Sequence, residues 1–160
     1  MSKLITTSFD KQPLLEHILA QLKIDRNGVH GTNHWARVRH HGLTICKERG
    51  ADLLVVELFS FLHDSQRENE WTDPKHGARA AEFSASLNSV YFELSNKQLD
   101  QLCYAMTLHS DGEVHADPTI QTCWDADRLD LGRVGIYPDK KYLSLEAEKY
   151  IDSGYEWSVK

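Results

Sequence analysis

The sequence is poor in cysteine, and its cysteines are widely separated. Only three occur among the 160 residues, namely Cys46, Cys103 and Cys123. An odd count without a Cys-x-x-Cys pair argues against both a disulfide framework and a zinc–thiolate site. Reduced thiols in a cytosolic protein are therefore the expected state.

Long apolar runs and linkers rich in proline or glycine are also missing. No run approaches the roughly 20 apolar residues that span a bilayer, and the N-terminal segment lacks an apolar stretch of signal-peptide length. We therefore expect a cytoplasmic protein without a membrane partner. The absence of repeats, low-complexity tracts and linkers predicts one domain over residues 1–160.

Positive charge is in deficit, since 24 acidic residues oppose 18 basic ones and give a formal net charge of -6. This balance argues against a large surface for nucleic acid or membrane lipid. A small anionic substrate remains compatible with it, because a bound divalent cation reverses the local field.

Apolar residues recur at helical spacing along most of the chain, and residues that cap helices precede several of these segments. No segment shows the alternation of a half-buried strand, so the pattern predicts an all-α fold. The predicted helices cover about 11–24 (capped by Ser8 or Asp10), 32–50, 53–64, the segment opening at Asp73-Pro74, the segment after the Ser95–Gln98 capping box, the segment after Asp117-Pro118, and a short helix over 144–151.

Histidine is enriched, with nine residues, and several histidines lie near carboxylates. His63 and Asp64 end the most apolar predicted helix, where a buried imidazole and carboxylate each need a partner. A divalent cation would satisfy both at once. Asp125 and Asp127 pose the same problem on a later helix, and either Arg128 or a metal would offset their repulsion.

Three segments together resemble the HD superfamily of metal-dependent phosphohydrolases. They are His34-Trp-Ala-Arg-Val, Leu62-His63-Asp64 and Asp125-Ala-Asp127-Arg128-Leu-Asp130, and they span about two thirds of the chain. The resemblance implies a single-domain helical bundle of the HD type with a motif-bearing core over about 28–136. It also implies that one divalent metal ion is held by His34, His63, Asp64 and Asp127.

The resemblance favours Asp127 over Asp125, because the last aspartate of the family usually follows a small residue and precedes an Arg-Leu step. Asp125 stays the alternative, either as a ligand or as a group that orients a ligating histidine. Two imidazoles with two carboxylates suit Mn²⁺, Mg²⁺, Co²⁺, Ni²⁺, Fe²⁺ or Zn²⁺ and do not choose among them.

Other polar residues are expected around the metal. His76 and His109 are expected to contact phosphate or protonate the leaving group, His109 more strongly, because their spacing does not match the dinuclear members of the family. In some relatives extra histidines of this kind bind a second metal, so His76 is also a candidate for an alternative ligand or for a group that orients one. Asp64 is expected to act in catalysis, and Glu68 to position or deprotonate the attacking water. Arg67 occupies a position where some relatives carry a carboxylate, and it could grip a phosphate instead.

Several further residues receive less specific predictions. Arg37 is expected in a buried ion pair, and Arg128 and Asp130 are expected to fix the last motif helix against its neighbours. Three basic residues could either line an entrance for the phosphate or simply lie on the surface, and the sequence favours neither: Lys75, Arg79 and Arg133. His40 and His41 are expected on the surface, and Trp35 and Trp124 in the core.

The implied reaction is hydrolysis of a phosphoester or phosphoanhydride by water that the cation activates. The resemblance points first to a small phosphorylated substrate such as a nucleotide. Two alternatives stay open: a nonenzymatic nucleotide- or metal-binding sensor module, and a guanosine tetraphosphate hydrolase. Arg67 argues against the latter, because those relatives tend to carry paired acids in that loop. A dinuclear-iron oxygenase would need two more suitably spaced histidines.

Overall fold

A computed structural model describes residues 9–160, and the regular structure within that range is helical apart from one isolated bridge between Asn88 and Phe92. This confirms the predicted all-α, single-domain bundle. The helices are α1 (Lys11–Gln21), α2 (Thr32–Arg49), α3 (Leu53–Leu62), α4 (His76–Leu87), α5 (Asn96–Leu108), α6 (Pro118–Arg128), α7 (Leu145–Glu148) and α8 (Ile151–Ser158), with 3-10 turns at Leu131–Val134 and Lys140–Tyr142.

Side-chain caps start most of the helices where the sequence predicts them. Asp10 caps α1, whereas the alternative cap Ser8 lies outside the described residues. Ser95 and Gln98 form the predicted capping box of α5, and Asp117 accepts hydrogen bonds from two amides at the start of α6. Each such cap contributes about 1 kcal/mol to helix stability.

Two helix boundaries differ from the predictions. Helix α4 begins at His76 rather than at Asp73-Pro74, because the Asp73 carboxylate binds Arg79 and the Glu68 amide instead of capping the helix. The predicted helix over 144–151 forms only α7, and a further helix, α8, begins at Ile151, where the prediction ends, with Tyr150 between them. Tyr150 donates its hydroxyl to Glu48 on α2, which ties this break to the bundle.

Helix α3 forms the centre of the bundle and packs against α2, α5 and α6. Every residue from Val55 to Leu62 is buried, which explains why its apolar residues extend around the whole helix. Trp35 and Trp124 lie in the same core, as predicted. A second cluster anchors α7 and α8 through Ile45, Leu129, Leu143, Ala147 and Ile151.

One surface prediction is wrong. His40 is exposed, but His41 is buried beneath α8, where it lies against Gly154 and Trp157. The prediction could not include this contact, because α8 reaches His41 only through tertiary packing.

Within residues 9–160, no helix is both long enough and apolar enough to cross a lipid bilayer.

Candidate metal centre

Four side chains from three separate stretches of sequence meet at one buried point. His34 lies in the first turn of α2, His63 ends α3 and Asp64 follows it, and Asp127 lies in the last turn of α6. The two Nε2 atoms are 3.1 Å apart, and each lies 3.2–3.4 Å from Asp64 Oδ2 and Asp127 Oδ1. We call these four residues the first ligand set.

The spacing of the first ligand set fits one cation. In a tetrahedral site with bonds of about 2.0–2.1 Å, the ligand atoms lie about 3.3–3.4 Å apart. Asp64 Oδ2 and Asp127 Oδ1 are moreover buried without a hydrogen-bond partner among the described residues. Buried carboxylate oxygens without partners are costly, and a cation among these four atoms would remove that cost.

The tautomers of the histidines also fit a metal. In each of four histidines, Nδ1 faces an oxygen that can only accept a hydrogen bond, so Nδ1 carries the proton and Nε2 presents a lone pair. These contacts are His34 with Asp130 Oδ2 (2.6 Å), His63 with the Phe59 carbonyl (2.9 Å), His76 with the Asp73 carbonyl (2.5 Å) and His109 with the Met106 carbonyl (2.6 Å).

A second group of possible ligands shares Asp64 with the first. Asp64 Oδ1 lies 3.2 Å from His76 Nε2 and 3.5 Å from His109 Nε2, and these two nitrogens are 2.8 Å apart. We call Asp64, His76 and His109 the second ligand set. The sequence predicted phosphate contacts for these two histidines and gave His76 as an alternative ligand. The structure places both where they could hold an ion, with Asp64 between the two sets.

The electrostatics of the cluster suit positive charge. Burial alone would lower the pKa of His63, but the carboxylates of Asp64 and Asp127 outweigh it and raise that pKa to about 10, so without a cation Nε2 carries a proton that a metal would displace. Burial likewise opposes ionisation of Asp64 and Asp127, yet their histidine neighbours hold both pKa values well below the usual range. The two carboxylates therefore stay ionised and attract a cation.

Asp130 supports the first ligand set in a way that the sequence analysis did not anticipate. It is fully buried, and it accepts a hydrogen bond from His34 Nδ1 as well as the predicted ion pair from Arg37 Nε at 2.6 Å. These two partners outweigh burial and lower the pKa of Asp130. The three-residue spacing from Asp127 was the available signal, because it brings both carboxylates toward one side.

A cavity of about 380 Å³ opens beside the two ligand sets. Asp64, Asp127 and His109 line it together with two predicted substrate-binding arginines. Arg67 Nε lies 3.4 Å from Asp64 Oδ1, and Arg133 Nη2 lies 3.9 Å from Asp127 Oδ1. An anion entering this cavity would meet both guanidinium groups close to the possible metal ligands.

Three predicted site residues are not brought to the cluster. Glu68 is half exposed and faces Arg79 and Lys23 at 3.8 Å and 3.9 Å, so its prediction as general base needs correction. Lys75 is exposed at the start of α4 and does not line the cavity.

Asp125 is the third residue of this kind. It points toward the segment that precedes α7, where its oxygens accept hydrogen bonds from the Ser144 hydroxyl (2.6 Å), the Ser144 amide and Gln121. It contacts no ligating histidine among the described residues, so neither of its predicted roles at the metal fits. Sequence spacing alone could not separate it from Asp127, since the two lie only two residues apart.

No protein-family model matches this chain, and no curated protein matches it. Among solved structures, it is similar to the crystal structure of a predicted HD superfamily hydrolase from an uncultured Thermotogales bacterium. The sequence identity is 23%, the TM-score is 0.68, and the match covers 92% of this chain and 87% of the other. The chain therefore shares the fold of that protein, and its own buried His/Asp groups could hold a metal ion.

Proposed function

We propose that this protein is a metal-dependent phosphohydrolase acting on a small phosphorylated substrate, with nucleotides as the first candidates. One observation carries the proposal: the buried oxygens of Asp64 and Asp127 lack partners among residues 9–160 and face the Nε2 atoms of His34 and His63. The HD-type fold of a predicted hydrolase supports the same reading.

In this proposal, the first ligand set would hold one divalent ion and the second ligand set would offer Asp64, His76 and His109 to another. A divalent cation in such a site supplies Lewis acidity, which polarises a phosphoryl oxygen and eases the deprotonation of water. The shared carboxylate favours two ions, because its two oxygens face different groups of histidines.

The protein's own residues would orient the substrate. Arg67 and Arg133 line the cavity and offer guanidinium donors to phosphoryl oxygens, which they would bind through charge-assisted hydrogen bonds. Asp64 and Asp127 are the carboxylates that line the same cavity, whereas Glu68 lies outside it. Glu68 is therefore not placed to accept the proton of an attacking water in this cavity.

A hydrolysis screen with defined metals tests this function. The protein would be stripped of metal, reloaded with Mn²⁺, Mg²⁺, Co²⁺, Ni²⁺, Fe²⁺ or Zn²⁺, and assayed on p-nitrophenyl phosphate and on nucleotides. We expect turnover that depends on the added ion and disappears in His63→Ala and Asp64→Ala. His40→Ala is the matched control, because His40 is an exposed histidine outside both ligand sets.

The same screen separates the alternatives. Nucleotide binding without turnover under any metal would contradict the hydrolase and support a sensor module. Hydrolysis restricted to guanosine tetraphosphate would support the second alternative. Normal metal content in both His63→Ala and Asp64→Ala would remove the basis of the proposal.

A further inference from the structure

Arg128 lines the same cavity as the ligand sets but has no acidic partner among residues 9–160. It is the last residue of α6, next to Asp127, and only 7% of its surface is exposed. Its Nη1 donates to the Tyr142 carbonyl at 2.6 Å, whereas Nη2 is buried without a hydrogen-bond partner in the described part of the chain. No carboxylate of residues 9–160 lies within 4 Å of its guanidinium nitrogens.

The other two arginines of the cavity differ from it. Arg67 and Arg133 each have a carboxylate of the ligand sets within 4 Å, and each also donates to backbone carbonyls. A buried guanidinium without an acidic partner is costly, and an anion brought by a ligand would offset that cost. Arg128 thus differs from Arg67 and Arg133 in that no carboxylate of residues 9–160 lies within 4 Å to offset its charge.

The guanidinium of Arg128 is also held in place. Its Cζ atom lies over the ring of Trp124 at 5.4 Å and over the ring of Tyr142 at 5.8 Å, both measured to the ring centroid. These cation–π contacts and the hydrogen bond from Nη1 to the Tyr142 carbonyl restrict the guanidinium, while Nη2 keeps a donor without a partner among residues 9–160. A fixed guanidinium selects planar or forked acceptors, which phosphoryl and carboxylate groups provide.

We propose that the substrate carries a second anionic group, phosphoryl or carboxylate, and that Arg128 binds this group. The inference rests on the proposed function, in which the reacting phosphoryl group lies at the ligand sets. The cavity of about 380 Å³ has the size of a small-molecule site, which typically spans about 300–1,000 Å³. Arg128 then distinguishes doubly anionic substrates from simple phosphomonoesters.

Non-hydrolysable phosphonates test this inference by binding alone. Methylphosphonate carries one anionic group, methylenediphosphonate adds a second phosphonate, and phosphonoacetate adds a carboxylate. Calorimetric titration of the Mn²⁺-loaded protein, with free Mn²⁺ buffered at one concentration, would measure each Kd. We expect at least one of the doubly anionic ligands to bind about tenfold or more tightly than methylphosphonate, as a charge-assisted hydrogen bond predicts. Which of the two is preferred identifies the second group.

Substitutions of Arg128 test whether this residue causes the preference for doubly anionic ligands. In Arg128→Met, we expect the preference to fall below about threefold, and in Arg128→Lys, which keeps the charge but loses the fork, we expect a partial loss. Arg49→Met is the matched control, because Arg49 is another mostly buried arginine and lies outside this cavity. It should keep the full preference. If Arg128→Met does not fold, the partial loss of the preference in Arg128→Lys still tests whether Arg128 binds the second anion.

Equal binding of all three phosphonates by the wild-type protein would overturn the inference. So would a preference that survives in both Arg128 variants, since the second anion would then bind a metal ion or another residue. Failure of the proposed function is a separate result: a protein that hydrolyses nothing but shows an Arg128-dependent preference would still bind doubly anionic ligands.

Discussion

The carboxylate of Asp130 fixes the imidazole of His34, with Oδ2 lying 2.6 Å from Nδ1 in a fully buried contact. Its other oxygen pairs with Arg37. Partners of this kind set the tautomer and orientation of a metal-binding histidine, and their loss typically costs about 10–100-fold in metal affinity. Asp130 therefore acts on the metal site without contacting the ion.

The first prediction concerns Asp130→Asn, which should weaken Mn²⁺ binding by about 10–100-fold because His34 loses its carboxylate partner. Competition with a chromogenic chelator would measure the dissociation constant. Asp125→Asn is the control, since Asp125 is equally buried but contacts Ser144 and Gln121 instead. Equal affinity in both variants would show that Asp130 is only structural.

The number of ions is the second prediction. Elemental analysis after equilibrium dialysis should find about two Mn²⁺ per chain, as expected for a shared carboxylate. We expect His76→Ala and His109→Ala each to lose one ion, and Asp64→Ala to lose both. His115→Ala, which changes a histidine outside both sets, should bind as the wild type. If the wild type and His109→Ala each bound only one ion, the proposal of a second metal site would be wrong.

A third prediction separates the two aspartates of α6. Asp127→Asn should remove most activity and the ion of the first ligand set, because Asp127 Oδ1 faces His34 and His63. Asp125→Asn should instead lower the free energy of unfolding by about 1–3 kcal/mol through its buried hydrogen bonds. Activity assays and urea denaturation would rank the two variants. The reverse ranking would assign the ligand to Asp125.

Local signals in the sequence predicted most helix starts, because caps such as Ser95 and Asp117 act on amides within three residues. The prediction failed at Asp73, where Arg79 competes for the carboxylate across one turn of α4. The second ligand set was beyond sequence reasoning for a related reason. His76 and His109 meet only because α4 and α5 pack together, and no local pattern encodes that contact.

A fourth prediction tests how closely α4 and α5 must pack. A Cβ atom at Gly77 would lie 2.2 Å from the backbone oxygen of Met106, which accepts the hydrogen bond of His109 Nδ1. Gly77→Ala should therefore separate the helices, lower the free energy of unfolding by about 1–3 kcal/mol and weaken the second ligand set.

Thermal melts and Mn²⁺ stoichiometry would measure both effects of Gly77→Ala. Gly42→Ala is the matched control, because Gly42 is also within a helix, but a Cβ there would meet the side chains of Val56 and Ala126 rather than the backbone of another helix. It should leave the number of bound ions unchanged. Full ion content in Gly77→Ala would mean that the α4–α5 contact adapts without moving the histidines.

The last prediction concerns pH and His41, which lies under α8 with Nε2 buried and without a hydrogen-bond partner in residues 9–160. Burial lowers the pKa of His41 to about 4; Asp130 opposes this shift, while Arg37, His40 and His34 add to it. An unfolded histidine has a pKa near 6.5. Between these values the unfolded chain binds more protons than the folded one, so stability falls as pH drops from about 6.5 toward 4.

The loss attributable to His41 should reach about 3 kcal/mol near pH 4, since one pKa unit corresponds to about 1.4 kcal/mol. Urea denaturation in the presence of a chelator would keep metal release out of the comparison. His41→Gln cannot take up this proton, so its stability should depend less on pH over that range, whereas His40→Gln should follow the wild type. Parallel pH curves for the wild type and His41→Gln would show that His41 becomes protonated without disturbing α8.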